Sequence, residues 1–346
     1  MKHHVDTLIV GFGLAGLAYA ETLFQADKSF HIIDADFSGS SEIAAGIYNP
    51  TVLKRFNMTW FGESFHRAAL PFYHRIAERV KHRFDHPAPI YKLFSHLGDH
   101  NRWIVAADRP GLSTFLESKI YTESLPGVQV PLGYAVVNNC GRINTHKLIH
   151  AYRKHIGAQL TQATFDHSKL TFDVDGIEYE NIKANHIVFC EGFAMKKNPF
   201  FNALPMVGLK GQILVINSPK LQINQILKGP IFIAPLGNDL YWAGATFEQE
   251  DKTFNKTKEG REELVEKINR MISVPYTIEE QLTHIRPTVI DRRPLVGTHK
   301  SHPRIHLLNG MGSRGVLTAP LAAEWLHDYI DQGKPFPLEA NINRFD

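Results

Sequence analysis

Residues 11–16 read Gly-Phe-Gly-Leu-Ala-Gly, a GxGxxG spacing that bares backbone N–H groups to a charged ligand. In such a stretch Gly11 makes a tight turn, Gly13 lets a diphosphate approach the main chain, and Gly16 lets a helix pack closely. Phe12, Leu14 and Ala15 supply the intervening N–H groups. Asp34 lies eighteen residues after Gly16, where its carboxylate can accept hydrogen bonds from a ribose diol. A second glycine cluster, Asn-Gly-Met-Gly-Ser-Arg-Gly-Val, occupies residues 309–316 near the far end of the chain. Gly310, Met311, Gly312, Ser313, Arg314, Gly315 and Val316 expose another run of N–H groups, with Thr318 placed to cap the helix that follows. A helix start carries roughly half a positive charge, so either cluster can stabilise an anion.

The surrounding elements support the first assignment. Residues 5–10, VDTLIV, form a short strand of branched apolar residues. LAYAETLFQAD then has helical spacing, and SFHIIDAD is a second strand ending on an acid. Strand, glycines, helix, strand and acid make a dinucleotide-binding unit. The motif alone does not separate NAD from FAD. The small-residue loop over 36–50 does more, because Ala44, Ala45 and Gly46 let a bulky planar ring lie against backbone. That favours a buried flavin over a nicotinamide.

Further along, 64–84 has helical periodicity interrupted at Pro71, and 90–137 reads as strands and turns, RWIVAAD among them. A helix is expected over 145–155, with Asn144 as N-cap and Gly157 as stop. Short strands follow over 159–181, with a hairpin turn at DVDGI, and HIVFCEG is a buried strand. Residues 209–217 and 230–246 are strands, the second stretch turning at 237–239. Residues 256–272 form a helix with a solvated charged face, 304–310 a strand, and a last helix stops near Gly333. These elements interleave a nucleotide domain (1–75, 140–200 and 285–346) with an antiparallel-sheet domain (76–139 and 201–284).

The chain has 346 residues, 43% hydrophobic and 21% charged, with a net charge of +3. That is too weakly basic for a nucleic-acid-binding footprint. Cys140 and Cys190 are isolated in sequence, so neither a disulfide framework nor a zinc cluster is expected, and a reducing, cytoplasmic setting fits. The apolar run TLIV is too short for a signal peptide, and nothing approaches the ~18 apolar residues of a membrane span. Among nineteen histidines, His82/His86, His96/His100 and His146/His150 are spaced i, i+4. None carries the acid of an HExxH motif, and no metal site is expected.

In order and spacing, VGFGLAGLAYA, IIDAD, AAGIYNP, GRINTHKL, IVFCEG, LKGQ, IAPLGNDLYWAGAT, IRPTVIDRRPLVG and NGMGSRGVLTAPLAAEWL resemble the FAD-dependent D-amino-acid oxidase superfamily. That superfamily includes glycine and sarcosine oxidases. GIYNP and GSRGVLTAPLAAEWL are similar to the oxidase domain of the bifunctional enzymes that modify the tRNA wobble uridine, whose methyltransferase domain this chain has no room for. The resemblance implies an α/β, Rossmann-like FAD-binding domain interleaved with an α+β substrate domain built on an antiparallel sheet. It implies oxidation of a C–N bond beside a carboxylate, with hydride passing from the α-carbon to flavin N5 and water hydrolysing the imine. The first cluster, the 44–46 loop, and Glu191 and Gly192 would contact the cofactor, and the second cluster would stabilise negative charge on the reduced ring.

Arg286 matches the expected carboxylate anchor, a structural ion pair being the other reading. Tyr48 and Tyr241 either line the pocket or pack. VIDRRPLVG lacks the cysteine by which sarcosine-type members attach FAD, so non-covalent FAD is implied, and Lys210 stands where arginine is more usual. The substrate implied is a small amine or amino acid. The alternatives are a carboxymethylaminomethyl group on tRNA, with Lys54, Arg55, Arg292, Arg293 and Arg314 as a basic rim, or a non-catalytic flavin-binding regulator. The regulator has no need of Arg286 or of the second glycine cluster.

Overall fold

Branched and apolar residues in β1 (His3–Val10) and β2 (Phe30–Asp34) make two parallel strands joined through helix α1 (Leu14–Gln25), in register from Thr7 opposite Phe30 to Val10 opposite Ile33. The computed structural model describes residues 3–35, 39–173 and 176–345. β1 also pairs in parallel with the strand Ile182–Phe189. The first part of that strand continues the sheet into Gly176–Tyr179 and Leu170–Asp173, and its second part pairs in parallel with His302–Asn309. Residues 174–175 of the expected DVDGI turn lie outside the described residues, but the strands on either side pair antiparallel.

A second eight-stranded sheet runs from Thr277–Arg286 through Leu209–Asn217, Leu240–Gly244, Phe232–Gly237, Ile226–Lys228, Ile90–Leu93 and Tyr134–Val137 to Leu116–Tyr121. Every neighbouring pair is antiparallel except Ile226–Lys228 with Ile90–Leu93. Alternation buries both faces. Leu214, Ile216, Ile233, Tyr241 and Ala243 pack with Leu264 and Ile268 of the helix Lys258–Asn269. Ile90, Ala135, Val137, Ile226 and Ala234 pack with Phe56 and Trp103 on the other face.

Two expectations fail. Pro71 does not interrupt its segment: one helix runs from Gly62 to Arg79. Pro71 is exposed, so water can satisfy the carbonyl its ring leaves unpaired, while Phe65, Ala69, Phe72, Tyr73 and Ile76 bury the opposite face. RWIVAAD is part of a helix, Gly98–Ala107, because Trp103, Ala106 and Ala107 are buried at helical rather than alternating spacing. The helix Thr145–Ile156 agrees with expectation, since the Asn144 side chain accepts from Lys147 N–H at 3.1 Å and Gly157 ends it. Cys140 and Cys190 are buried and unlinked. Among the described residues, no helix is long and apolar enough to cross a membrane.

Candidate cofactor and substrate site

The chain leaves β1 through Gly11 at φ +95°, and a Cβ there would sit 2.7 Å from the Cys190 carbonyl oxygen. Gly16 is equally confined, because a Cβ would overlap the Gly11 carbonyl. Gly13 caps α1 without a side chain of its own. Ser41, on the short helix α2 (Ser40–Ile43), accepts the Leu14 N–H at 3.1 Å. The N–H groups of Ala15 and Gly16 have no acceptor among the described residues, as expected of a first helical turn. Phe12 N–H donates to Asp34 Oδ1 at 2.8 Å, while Asp34 Oδ2 pairs with Arg153. Asp34 therefore braces the glycine turn and stands beside a cation.

Gly310 and Gly312 have φ of +73° and +56°, and the C-terminal helix Gly315–Gln332 starts immediately after them. Its N-cap is Arg314, with no side-chain cap bond. Thr318 is not the cap: it lies inside the first turn, buried, its N–H donating to the Arg314 carbonyl at 3.0 Å. A Cβ on Gly315 would lie 3.3 Å from Leu14, at the head of α1. The two helix starts are thus neighbours, and both glycine clusters open on one place. Met311 and Val316 point into the core, and Ser313 is exposed. Gly312 N–H donates to the Pro287 carbonyl at 3.1 Å, which ties the second cluster to the strand end bearing Arg286.

Arg314 turns inward, donating to the carbonyls of Asn49 and Thr51, so it fastens the cluster to the GIYNP loop rather than forming a surface rim. Gly46, at φ +71°, comes so close to the Ile143 carbonyl that no Cβ fits; Ala45 is buried and Ala44 exposed. Glu191 accepts from Asn198 Nδ2 at 2.6 Å, and the Gly192 carbonyl accepts from Asn309 Nδ2 at 3.0 Å. Both hold their own corner together beside Gly11.

Arg286 ends the strand Thr277–Arg286, against which α2 packs. Its guanidinium fills space left by Gly211 on the neighbouring strand, where any Cβ would overlap it. Its partners are one long bond to the Thr246 carbonyl, 3.4 Å, and the Phe247 ring at 5.0 Å. Burial pulls it down to about 10, with no carboxylate opposing among the described residues. It stays charged at neutral pH.

The two tyrosines are otherwise engaged. Tyr48 donates to Asp85 Oδ1 at 2.8 Å and is fully packed; burial and then Asp85 hold its hydroxyl protonated far above the phenol range. Tyr241 donates to the Leu221 carbonyl at 2.7 Å on the face covered by Lys258–Asn269. Alternation sends its neighbour Trp242 the other way, where Nε1 donates to the Ile43 carbonyl of α2 at 2.9 Å. Sequence reasoning missed Trp242, Ser41, Arg153 and Gly211. Only the glycine in LKGQ, a strand interior with no side chain, was a signal of close approach.

The family model described as FAD dependent oxidoreductase matches residues 6–329. The tRNA 5-methylaminomethyl-2-thiouridine biosynthesis bifunctional protein of Marinobacter nauticus is 23% identical across 97% of this chain and 57% of its own length. The chain thus spans little more than half of that relative. Glycine oxidase from Geobacillus kaustophilus has the same fold, with a TM-score of 0.83 at 18% identity over 99% of both chains. Iminodiacetate oxidase from Chelativorans sp. gives 0.78 at 18% identity over 96% of this chain and 98% of the other. A GxGxxG turn with its acid, a second bare helix start beside it and a match over nearly the whole chain agree: the protein belongs to the FAD-dependent oxidoreductase family.

Proposed function

We propose that the chain oxidises the C–N bond of a small amino acid or secondary amine that carries a carboxylate. The observation that carries this reading is Arg286, a half-buried guanidinium with one long carbonyl contact and no carboxylate partner among the described residues. Such a group calls for an anion, and its planar fork matches a carboxylate in two parallel bonds. Bound FAD would supply the two-electron acceptor that takes hydride from the carbon beside nitrogen, leaving an imine for water to hydrolyse.

The chain's own part is positional and electrostatic. Gly11, Gly13 and the free N–H groups of Ala15 and Gly16 suit the diphosphate, with Asp34 toward the ribose. The start of the C-terminal helix at Gly315 would face developing negative charge on the ring. Arg286 fixes the substrate's carboxylate, Trp242 ties the sheet to α2, and the Phe247 ring lies beside the guanidinium. Two buried, unlinked cysteines suit a reducing cytoplasm. The test is anaerobic bleaching of the bound flavin by a panel of glycine, sarcosine, proline and D-amino acids. A flavin that none of them reduces would overturn the small-substrate reading.

A second reading is favoured by the likeness to the tRNA-modifying relative across 97% of this chain. A carboxymethylaminomethyl group on a tRNA base also joins a secondary amine to a carboxylate, so Arg286 serves either substrate. Lys54, Arg55, Arg102, Arg109 and Arg292 are exposed and could meet phosphates, although Arg102 already pairs with Asp99. Under this reading activity on modified tRNA falls steeply with salt through counterion release, while turnover of a small amino acid does not. Salt slopes that are equal for the two substrates would remove it.

A further inference from the structure

His146 and His150 stand one turn apart on the helix Thr145–Ile156, with ring centroids 4.4 Å apart and side chains 61% and 54% exposed. Glu42, on α2, reaches toward both: its Oε2 is 3.8 Å from His146 Nδ1 and 3.7 Å from His150 Nε2. The three ligand atoms lie within 4.8 Å of one another. Sequence alone offered the histidine pair without an acid, because the acid arrives from a distant segment.

The separations discriminate between readings. They are too long for an N–H···O hydrogen bond, which needs ~2.7–3.2 Å. They are close to the ~3.4 Å between adjacent ligands on a tetrahedral zinc held at ~2.0–2.2 Å. Exposed imidazoles can close the difference by small rotations. Two imidazoles and one carboxylate are a borderline donor set, suited to zinc-class ions and poorly to calcium or magnesium. Three protein ligands leave a fourth position for water.

We infer that Glu42, His146 and His150 bind one zinc-class divalent ion, which fastens α2 to the helix Thr145–Ile156. The same short helix carries Ser41, which holds the first N–H of α1, and Ile43, which receives Trp242. The ion would therefore brace the loop between the proposed diphosphate site and the sheet, outside the reacting centre.

The experiment uses flavin-loaded protein, stripped of metal by a chelator and titrated calorimetrically with zinc chloride at neutral pH. A parallel cobalt(II) titration is followed by visible absorption. One ion should bind per chain with micromolar or tighter affinity, and cobalt should give the intense bands of a tetrahedral site. The double variant His146→Gln/His150→Gln should weaken binding by more than the ~10–100-fold that loss of an outer partner costs. Both side chains are half exposed, so this variant should fold; Glu42→Gln should weaken binding in the same direction. The pair His82→Gln/His86→Gln, both exposed and neither among the three ligands, should leave binding unchanged. No saturable binding, or wild-type affinity in the His146/His150 double variant, would overturn the site and leave a plain histidine–glutamate ion pair.

Discussion

Replacing Arg286 with lysine keeps a charge and removes a shape. The native guanidinium occupies the gap left by Gly211 and touches one carbonyl at 3.4 Å, so most of its five donors are uncommitted among the described residues. A carboxylate can take two of them in parallel, each charge-assisted bond contributing ~1.5–3 kcal/mol. A lysine ammonium offers one bond in that direction and leaves part of the gap unfilled. The expected loss is one such bond, about 3 kcal/mol, or ~10²-fold in kcat/KM. The assay is anaerobic stopped-flow reduction of the bound flavin, by an amino acid and by the matching amine without its carboxylate. The amino acid should lose ~10²-fold, the amine only a few-fold, and the affinity for FAD should hold. Equal losses for both substrates would make Arg286 a structural residue with no part in holding the carboxylate.

Gly211→Ala should reproduce much of that loss with FAD still bound, because its methyl group would displace the guanidinium; unchanged kinetics would mean that the fork is not held there. Asp34→Ala should weaken FAD by ~1–3 kcal/mol, since it removes a charged acceptor that also holds the Phe12 N–H, and equilibrium dialysis reads the result directly. The protein should be yellow and release intact FAD on heat or acid denaturation, because no cysteine follows Cys190 in the C-terminal motifs where a flavin could be attached; flavin remaining on the precipitate would contradict this. Lys228 is held down to about 8, by burial first and then by Lys92 and other lysines, whereas an unfolded lysine titrates near ~10.4. The native chain then binds fewer protons between about pH 8 and 10.4, so stability rises with pH across that window. Lys228→Met should flatten that slope and raise Tm at pH 7, and an unaltered slope would exclude Lys228 as its source.

Where structure is local, it was legible. Asn144 caps its helix and Gly157 ends it because both signals act within one turn. Gly11 and Gly13 were readable for the same reason. What failed depends on partners distant in sequence. Whether Pro71 breaks a helix depends on what covers Phe65 and Phe72, and a periodicity of buried alanines made a helix of 98–107. A strand's alternation says that Tyr241 and Trp242 face opposite ways but not which of them faces α2. That is settled by pairing with Leu209–Asn217 and by the helix covering one face. The neighbourhood of Gly315 and Leu14, the space Gly211 leaves for Arg286, and the approach of Glu42 to two histidines are all contacts that only the folded sheet order creates.

Two half-buried arginines meet the cost of desolvation in different ways. Arg286 and Arg314 are both brought down to about 10 by burial alone. A guanidinium taken out of water loses solvation that hydrogen bonds must replace. For Arg314 the carbonyls of Asn49 and Thr51 replace it, and the return is a fixed geometry between the GIYNP loop and the second glycine cluster. For Arg286 the chain offers one long contact and an aromatic face. The fold even gives up a side chain at Gly211 to house it. An uncompensated buried charge weakens the folded state unless something outside the chain completes it, and a ligand that binds only the native form stabilises it in return. On that argument Arg314 belongs to the architecture, and we propose that Arg286 belongs to the substrate.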